Sequence, residues 1–116
     1  MTAPPVQPDP GDLDIRTVSG SGACTVTISG DVDAGTAPRF GRHLLEVLAR
    51  PGVHTVELDL SGVTFLDSAG LTALVVAHRT AQGAGQAFCV RCGTGRAVRR
   101  PLEITGLSSV LTIVDA

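Results

Sequence analysis

The sequence predicts a single α/β domain, a mixed β-sheet of four to five strands packed with three to four α-helices, and three observations carry that expectation. The chain has 116 residues, a size at which one core buries roughly two-thirds of the surface that the unfolded chain exposes and splitting gains little. Hydrophobic residues make up 43% of it and charged residues 17%, a balance that suits a folded domain and argues against wholesale disorder. From residue 26 onward, segments alternating with period two take turns with segments of helical period, the pattern of an α/β layer structure with right-handed crossovers.

Residues 1–11 contain four of the seven prolines and end in Asp9-Pro10-Gly11. They read as a disordered leader, with the domain over residues 12–116. Leu13 to Val18 alternates apolar with polar residues, and after Gly20-Ser21-Gly22 the segment Ala23 to Ser29 does so again, which predicts two strands joined by a short turn. That hairpin makes the sheet mixed. Ala37, Phe40, Leu44, Val47 and Leu48 then fall on one helical stripe, with Arg39, Arg42, His43, Glu46 and Arg50 largely outside it, so a first amphipathic helix is expected. Pro51-Gly52 ends it. Val56, Leu58 and Leu60 alternate with Glu57 and Asp59 until Ser61-Gly62 breaks the run, a third strand.

Between Asp67 and Gln82 the stretch Leu71 to Ala77 is apolar around most of its circumference, which predicts a central helix with little exposure. Gly83-Ala84-Gly85 leads into Ala87 to Cys92, a fourth strand. A last helix is expected from Gly95 to Ile104 before Gly106, bent or split by Pro101. Leu111 to Val114 is then available as a final strand. Strand order stays open.

Composition excludes several function classes. With 9 Lys+Arg against 11 Asp+Glu the net charge is -2, so a phosphate backbone or an anionic membrane is not generally attracted. There is no Trp or Tyr and there are three Phe, so the stacking platforms of single-strand nucleic-acid readers are missing. The opening Met1-Thr2-Ala3-Pro4-Pro5 lacks the pattern of a signal peptide, and no apolar run approaches the ~20 residues that cross a bilayer. The expected location is the cytoplasm. Cys24, Cys89 and Cys92 are an odd number, expected as free thiols in that compartment, with Cys89 in the core.

The informative stretch is Leu58 to Leu71, which runs strand, short loop, helix start. Asp67 or Ser68 can cap the second helix there. Ala69, Gly70 and Leu71 are small or apolar and leave the Ser68 hydroxyl unshielded beside a backbone that another protein can approach. Phosphate on Ser68 would add roughly -1.5 to -2 charges beside helix amides that tolerate an anion. A partner packed against Leu66, Ala69 and Leu71 would then have to desolvate a dianion next to Asp67.

Phe65-Leu66-Asp67-Ser68-Ala69-Gly70-Leu71 resembles the phosphorylation-site loop of the anti-sigma factor antagonists of the bacterial STAS domain family. Gly30-Asp31-Val32-Asp33 resembles the family's Gly-Glu-Leu-Asp signature, and Leu102 to Leu107 the helix end before the last strand, so three landmarks stand in order from about residue 13 to 115. The resemblance implies partner switching. Unphosphorylated at Ser68, the protein binds an anti-sigma factor serine/threonine kinase and releases its sigma factor; phosphorylation reverses this and a PP2C-type phosphatase resets the cycle. It assigns Asp33 to the same surface, beside Leu66, Asp67, Ser68, Ala69, Gly70 and Leu71. Departures from the family pattern are Asp31 and Val32 for Glu and Leu, Ala69 where many members carry a hydroxyl residue, and Pro101 in a helix that is usually continuous.

Other chemistry finds less support. Ser68 as a nucleophile based on His43, His54 or His78 lacks the Gly-x-Ser-x-Gly elbow, and Asp67 would repel an oxyanion. Cys89 and Cys92 point to opposite faces of a strand, and no second pair stands at zinc-ligand spacing. Gly93-Thr94-Gly95-Arg96 lacks the glycine fingerprint and lysine of a phosphate cradle. No catalytic residue, cofactor or metal is expected. Arg96, Arg99 and Arg100 form a small basic patch, read as a solvated helix face. The competing reading is a STAS scaffold or ligand-binding module of a lipid-transport or signalling complex in which Ser68 is only a cap. A solvated switch face fits a monomer.

Overall fold

The computed structural model describes residues 13–115, so the leader expected over residues 1–11 lies outside the described residues. The two alternating segments form the hairpin of β1 (Leu13–Gly20) and β2 (Ala23–Val32), paired antiparallel from Leu13↔Gly30 to Gly20↔Ala23. Its two-residue turn, Ser21-Gly22, has positive φ at both positions, 51° and 81°, the geometry whose twist matches that of the flanking strands. α1 (Ala37–Leu48) follows with Phe40, Leu44 and Val47 fully buried, and Pro38 in its first turn, where no backbone donor is needed.

β3 (Thr55–Leu66) lies parallel to β2, and β4 (Ala87–Arg91) parallel to β3, in the order β1-β2-β3-β4. α2 (Ser68–Gly83) joins β3 to β4 and packs against α1. The register Val26↔Leu58↔Val90 sets these buried residues on one face, while Thr27, Asp59 and Arg91 share the other, polar face. α3 (Arg96–Thr105) packs against β3 through buried Val98 and Leu102 and ends at left-handed Gly106. One short 3-10 turn, Leu107–Ser109, follows it.

Five details differ from expectation. β3 does not stop at Ser61-Gly62. Between Thr27↔Asp59 and Ser29↔Gly62, and again between Gly30↔Val63 and Asp31↔Phe65, β3 holds one residue more than β2. These two bulges change its burial from every second residue (Val56, Leu58, Leu60) to every third (Leu60, Val63, Leu66). α2 is a surface helix rather than a central one: Thr72, Val76, Arg79 and Thr80 are exposed, and its small apolar residues simply leave one side uncovered. α3 is neither split nor interrupted at Pro101. Leu111 to Val114 makes one parallel bridge, Ile113 to Val90, instead of a strand. All three cysteines are free, with Cys24 and Cys92 buried and Cys89 half-buried, so Cys92 rather than Cys89 belongs to the core. Burial pushes the thiols of both Cys92 and Cys89 above their ordinary range.

Candidate functional site

The carboxyl ends of β2 and β3 lie side by side, with Val32 opposite Leu66 and the Asp67 amide donating to the Val32 carbonyl at 3.1 Å. The turns that leave these strands are therefore neighbours, and each begins with an aspartate. Asp33 Oδ1 accepts from the Gly35 amide at 2.9 Å and the Thr36 amide at 3.1 Å, the local bonding by which Asp shapes a turn. Asp31 accepts from the Thr64 hydroxyl at 2.6 Å and so ties the two strand ends together.

Asp67 is the N-cap of α2. Its Oδ1 accepts from the Ala69 amide at 2.9 Å and the Gly70 amide at 3.3 Å, satisfying donors that the helix itself leaves free. Ser68 is the first residue of the helix and is exposed. Its carbonyl accepts from the Thr72 hydroxyl at 2.9 Å, but among the described residues its own hydroxyl has no hydrogen-bond partner. Of the two residues able to cap, Asp67 does so and Ser68 is left free. Gly70 is buried against Leu66 and Val32, where a side chain has no room.

Ser68 opens onto a groove of about 480 Å³ between the end of β3, the first turn of α2, and α3. Leu66 and Leu71 are buried and form its floor, while Phe65 (50% exposed) and Ile104 (71% exposed) stand at its rim. Ala69 turns the other way, towards a second apolar groove of about 440 Å³ between α1 and α2 that includes Gly41, Leu45, Ala73 and Val76. The predicted residues Asp33, Leu66, Asp67, Ser68, Ala69, Gly70 and Leu71 are thus brought to one end of the sheet, but the buried ones supply support and floor rather than surface.

Sequence reasoning missed Phe65 and Ile104 as exposed apolar residues, and the wall that α3 contributes. The bulge beside Phe65 erases the alternation that would have assigned its face, and Ile104 is placed by a long-range packing of α3. The three histidines lie elsewhere: His43 Nε2 is 2.6 Å from the Thr17 hydroxyl, His54 sits beside the hairpin turn, and His78 is buried near Gln86 and Phe88. No cluster of His, Cys, Asp or Glu able to hold a metal ion occurs among the described residues, nor any helix long and apolar enough to cross a membrane.

The STAS domain family matches residues 14–116. The chain is similar to the anti-sigma-B factor antagonist of Listeria monocytogenes, 32% identical over 76% of this chain and 75% of that protein. A crystal structure of an anti-sigma factor antagonist from Mycobacterium paratuberculosis superposes with a TM-score of 0.83 at 29% identity, covering 95% of this chain and 92% of the other. The Bacillus cell fate determinant SpoIIAA in its phosphorylated form shares the fold, with a TM-score of 0.67 at 12% identity over 87% of this chain and 91% of that one. By the extent of the family match and by the identity to its relatives, this chain belongs to the STAS domain family.

Proposed function

We propose that the chain is an anti-sigma factor antagonist that works by partner switching, with Ser68 as its phosphoacceptor. The observation that carries this reading is the division of labour at the start of α2. Asp67 takes the cap, so the exposed Ser68 hydroxyl is not needed for it and bonds to nothing among the described residues. The names of the Listeria and Mycobacterium relatives support the function, and the phosphorylated form of a protein sharing the fold supports the switch.

The partner is an anti-sigma factor serine/threonine kinase seated over the β2 and β3 ends, with Asp33, Asp67, Ser68 and Ala69 at its centre and Leu66, Gly70 and Leu71 holding them from below. In its phosphorylation step the kinase's ATP supplies the phosphoryl group: the Ser68 Oγ–P bond forms, the bond between the β and γ phosphates breaks, ADP leaves, and the hydroxyl proton goes to a base of the kinase. The product carries roughly -1.5 to -2 charges where a contact surface had been neutral. Desolvating that dianion beside Asp67 disfavours the complex, and a PP2C-type phosphatase restores the alcohol by hydrolysis. The cytoplasm, where ATP and sigma factors are found, is the expected location.

Intact mass and peptide mapping of protein purified from its own cells under phosphatase inhibition test the reading. One phosphate on Ser68 is expected, lost in Ser68→Ala, together with binding to the anti-sigma partner weakened about 10- to 100-fold by Ser68→Asp. Absence of phosphate under every growth condition, with partners indifferent to Ser68→Asp, would instead favour a constitutive scaffold.

A further inference from the structure

The basic patch of α3 separates into two parts. Arg99 is committed to the fold: its Nε donates to the Gly93 carbonyl at 2.5 Å and its Nη2 to the Asp115 carbonyl at 2.9 Å. Arg96 and Arg100, one helical turn apart and both exposed, line the groove onto which Ser68 opens. Among the described residues neither forms an ion pair or hydrogen bond, whereas Arg16, Arg50, Arg91 and Arg99 each take part in an ion pair. Two like charges at this spacing repel one another. Arg96 also opens the helix, where the dipole disfavours a cation and the first turn holds no acidic residue. The remaining charged residue of the groove, Asp67, has an oxygen bonded to the amides of Ala69 and Gly70.

We propose that Arg96 and Arg100 are the internal receptor for a phosphate on Ser68, clamping it across the groove within the same chain. Guanidinium groups bind phosphate through paired, charge-assisted hydrogen bonds, and a dianion between the two arginines turns their repulsion into attraction. The clamp draws α3 and the first turn of α2 together over the groove and covers the apolar rim of Phe65 and Ile104. Phosphorylation then withdraws a contact surface as well as adding charge to it. The inference rests on Ser68 as the phosphoacceptor.

The test uses the full chain with phosphoserine introduced at position 68 during translation, so that it is independent of whether cells phosphorylate the site. Phosphorus NMR is expected to show the phosphate titrating at lower pH than phosphoserine in an unstructured peptide, with R96Q/R100Q restoring the peptide value. The Ile104 methyl resonance is expected to move on phosphorylation in the wild-type chain and to stay in place in the double variant. Identical titration in wild type and R96Q/R100Q overturns the clamp. So does an unmoved titration accompanied by loss of anti-sigma binding in the unphosphorylated double variant, which would assign the arginines to an acidic partner surface. Unmodified Ser68 in native protein counts against the phosphoswitch alone, so the two failures are distinguishable.

Discussion

Gly70 sits where the first turn of α2 meets two strands, and a Cβ built on it would stand 2.5 Å from Leu66 Cδ1 and 2.6 Å from Val32 Cγ1. Leu66 and Val32 are themselves buried, at 5% and 0% exposure, and have little room to give way. Gly70→Ala is therefore expected to cost about 1–3 kcal/mol through overpacking, read as a lower urea midpoint at unchanged slope. Asp67→Ala acts by a different route, freeing the amides of Ala69 and Gly70, and is expected to cost about 1 kcal/mol. Ser68→Ala removes a hydroxyl that bonds to nothing described and should stay within about 0.5 kcal/mol of wild type. Ranking the three by chemical denaturation separates the structural residues of this turn from the one left free for function. A Ser68→Ala loss as large as that of Asp67→Ala would make Ser68 part of the cap.

At the scale of elements, the hairpin and α1 were legible because each follows a single period from end to end. Val26 and Ile28 face the core as the alternation requires, and Phe40, Leu44 and Val47 fall on one stripe. β3 was legible only to Leu60, because its two bulges shift the phase of every later side chain, and Ser61-Gly62 then resembles an end. Gly62 marks the first bulge. A Cβ there would lie 2.6 Å from Ser29 Oγ, so the neighbouring strand approaches where a side chain would otherwise stand. The start of α2 was readable from Asp67-Ser68, but the choice between the two as cap needed the hydrogen bonds. The hairpin turn carries a further prediction. Ser21 holds φ at 51° without being a glycine, a conformation that asparagine tolerates better. Ser21→Asn is expected to raise stability by roughly 0.5 kcal/mol, seen as a higher melting temperature; a lower one would mean that the turn is held by contacts of the serine itself.

Across the whole molecule, the sheet ends at β4, whose outer edge is met by the returning chain. The Val90 amide donates to the Thr112 carbonyl at 2.8 Å and the Val114 amide to the Val90 carbonyl at 3.0 Å. The Asp115 carboxylate then accepts from the amides of Cys92 and Gly93 at 2.8 and 2.7 Å, while Arg99 reaches the Asp115 carbonyl from α3. This clasp was not legible in Leu111 to Val114, because its partners on and after β4 lie more than twenty residues away, and Arg99 lies 16 residues from Asp115, so no local period records them. It also fixes the helix that supplies Arg96 and Arg100 to the groove. Burial pushes the Asp115 carboxyl up, but donation from Cys92 and Gly93 and the nearby Arg99 guanidinium outweigh it and hold the group below its ordinary value. A carboxylate depressed in this way stabilises the fold above its unfolded pKa, about 3.9, and that contribution is lost as pH falls through the lower folded value. Asp115→Asn is therefore expected to lower the melting temperature at neutral pH, with the gap from wild type narrowing as pH drops below about 4. A gap that stays constant down to the acid limit would show that the clasp depends on the shape of the side chain and not on its charge.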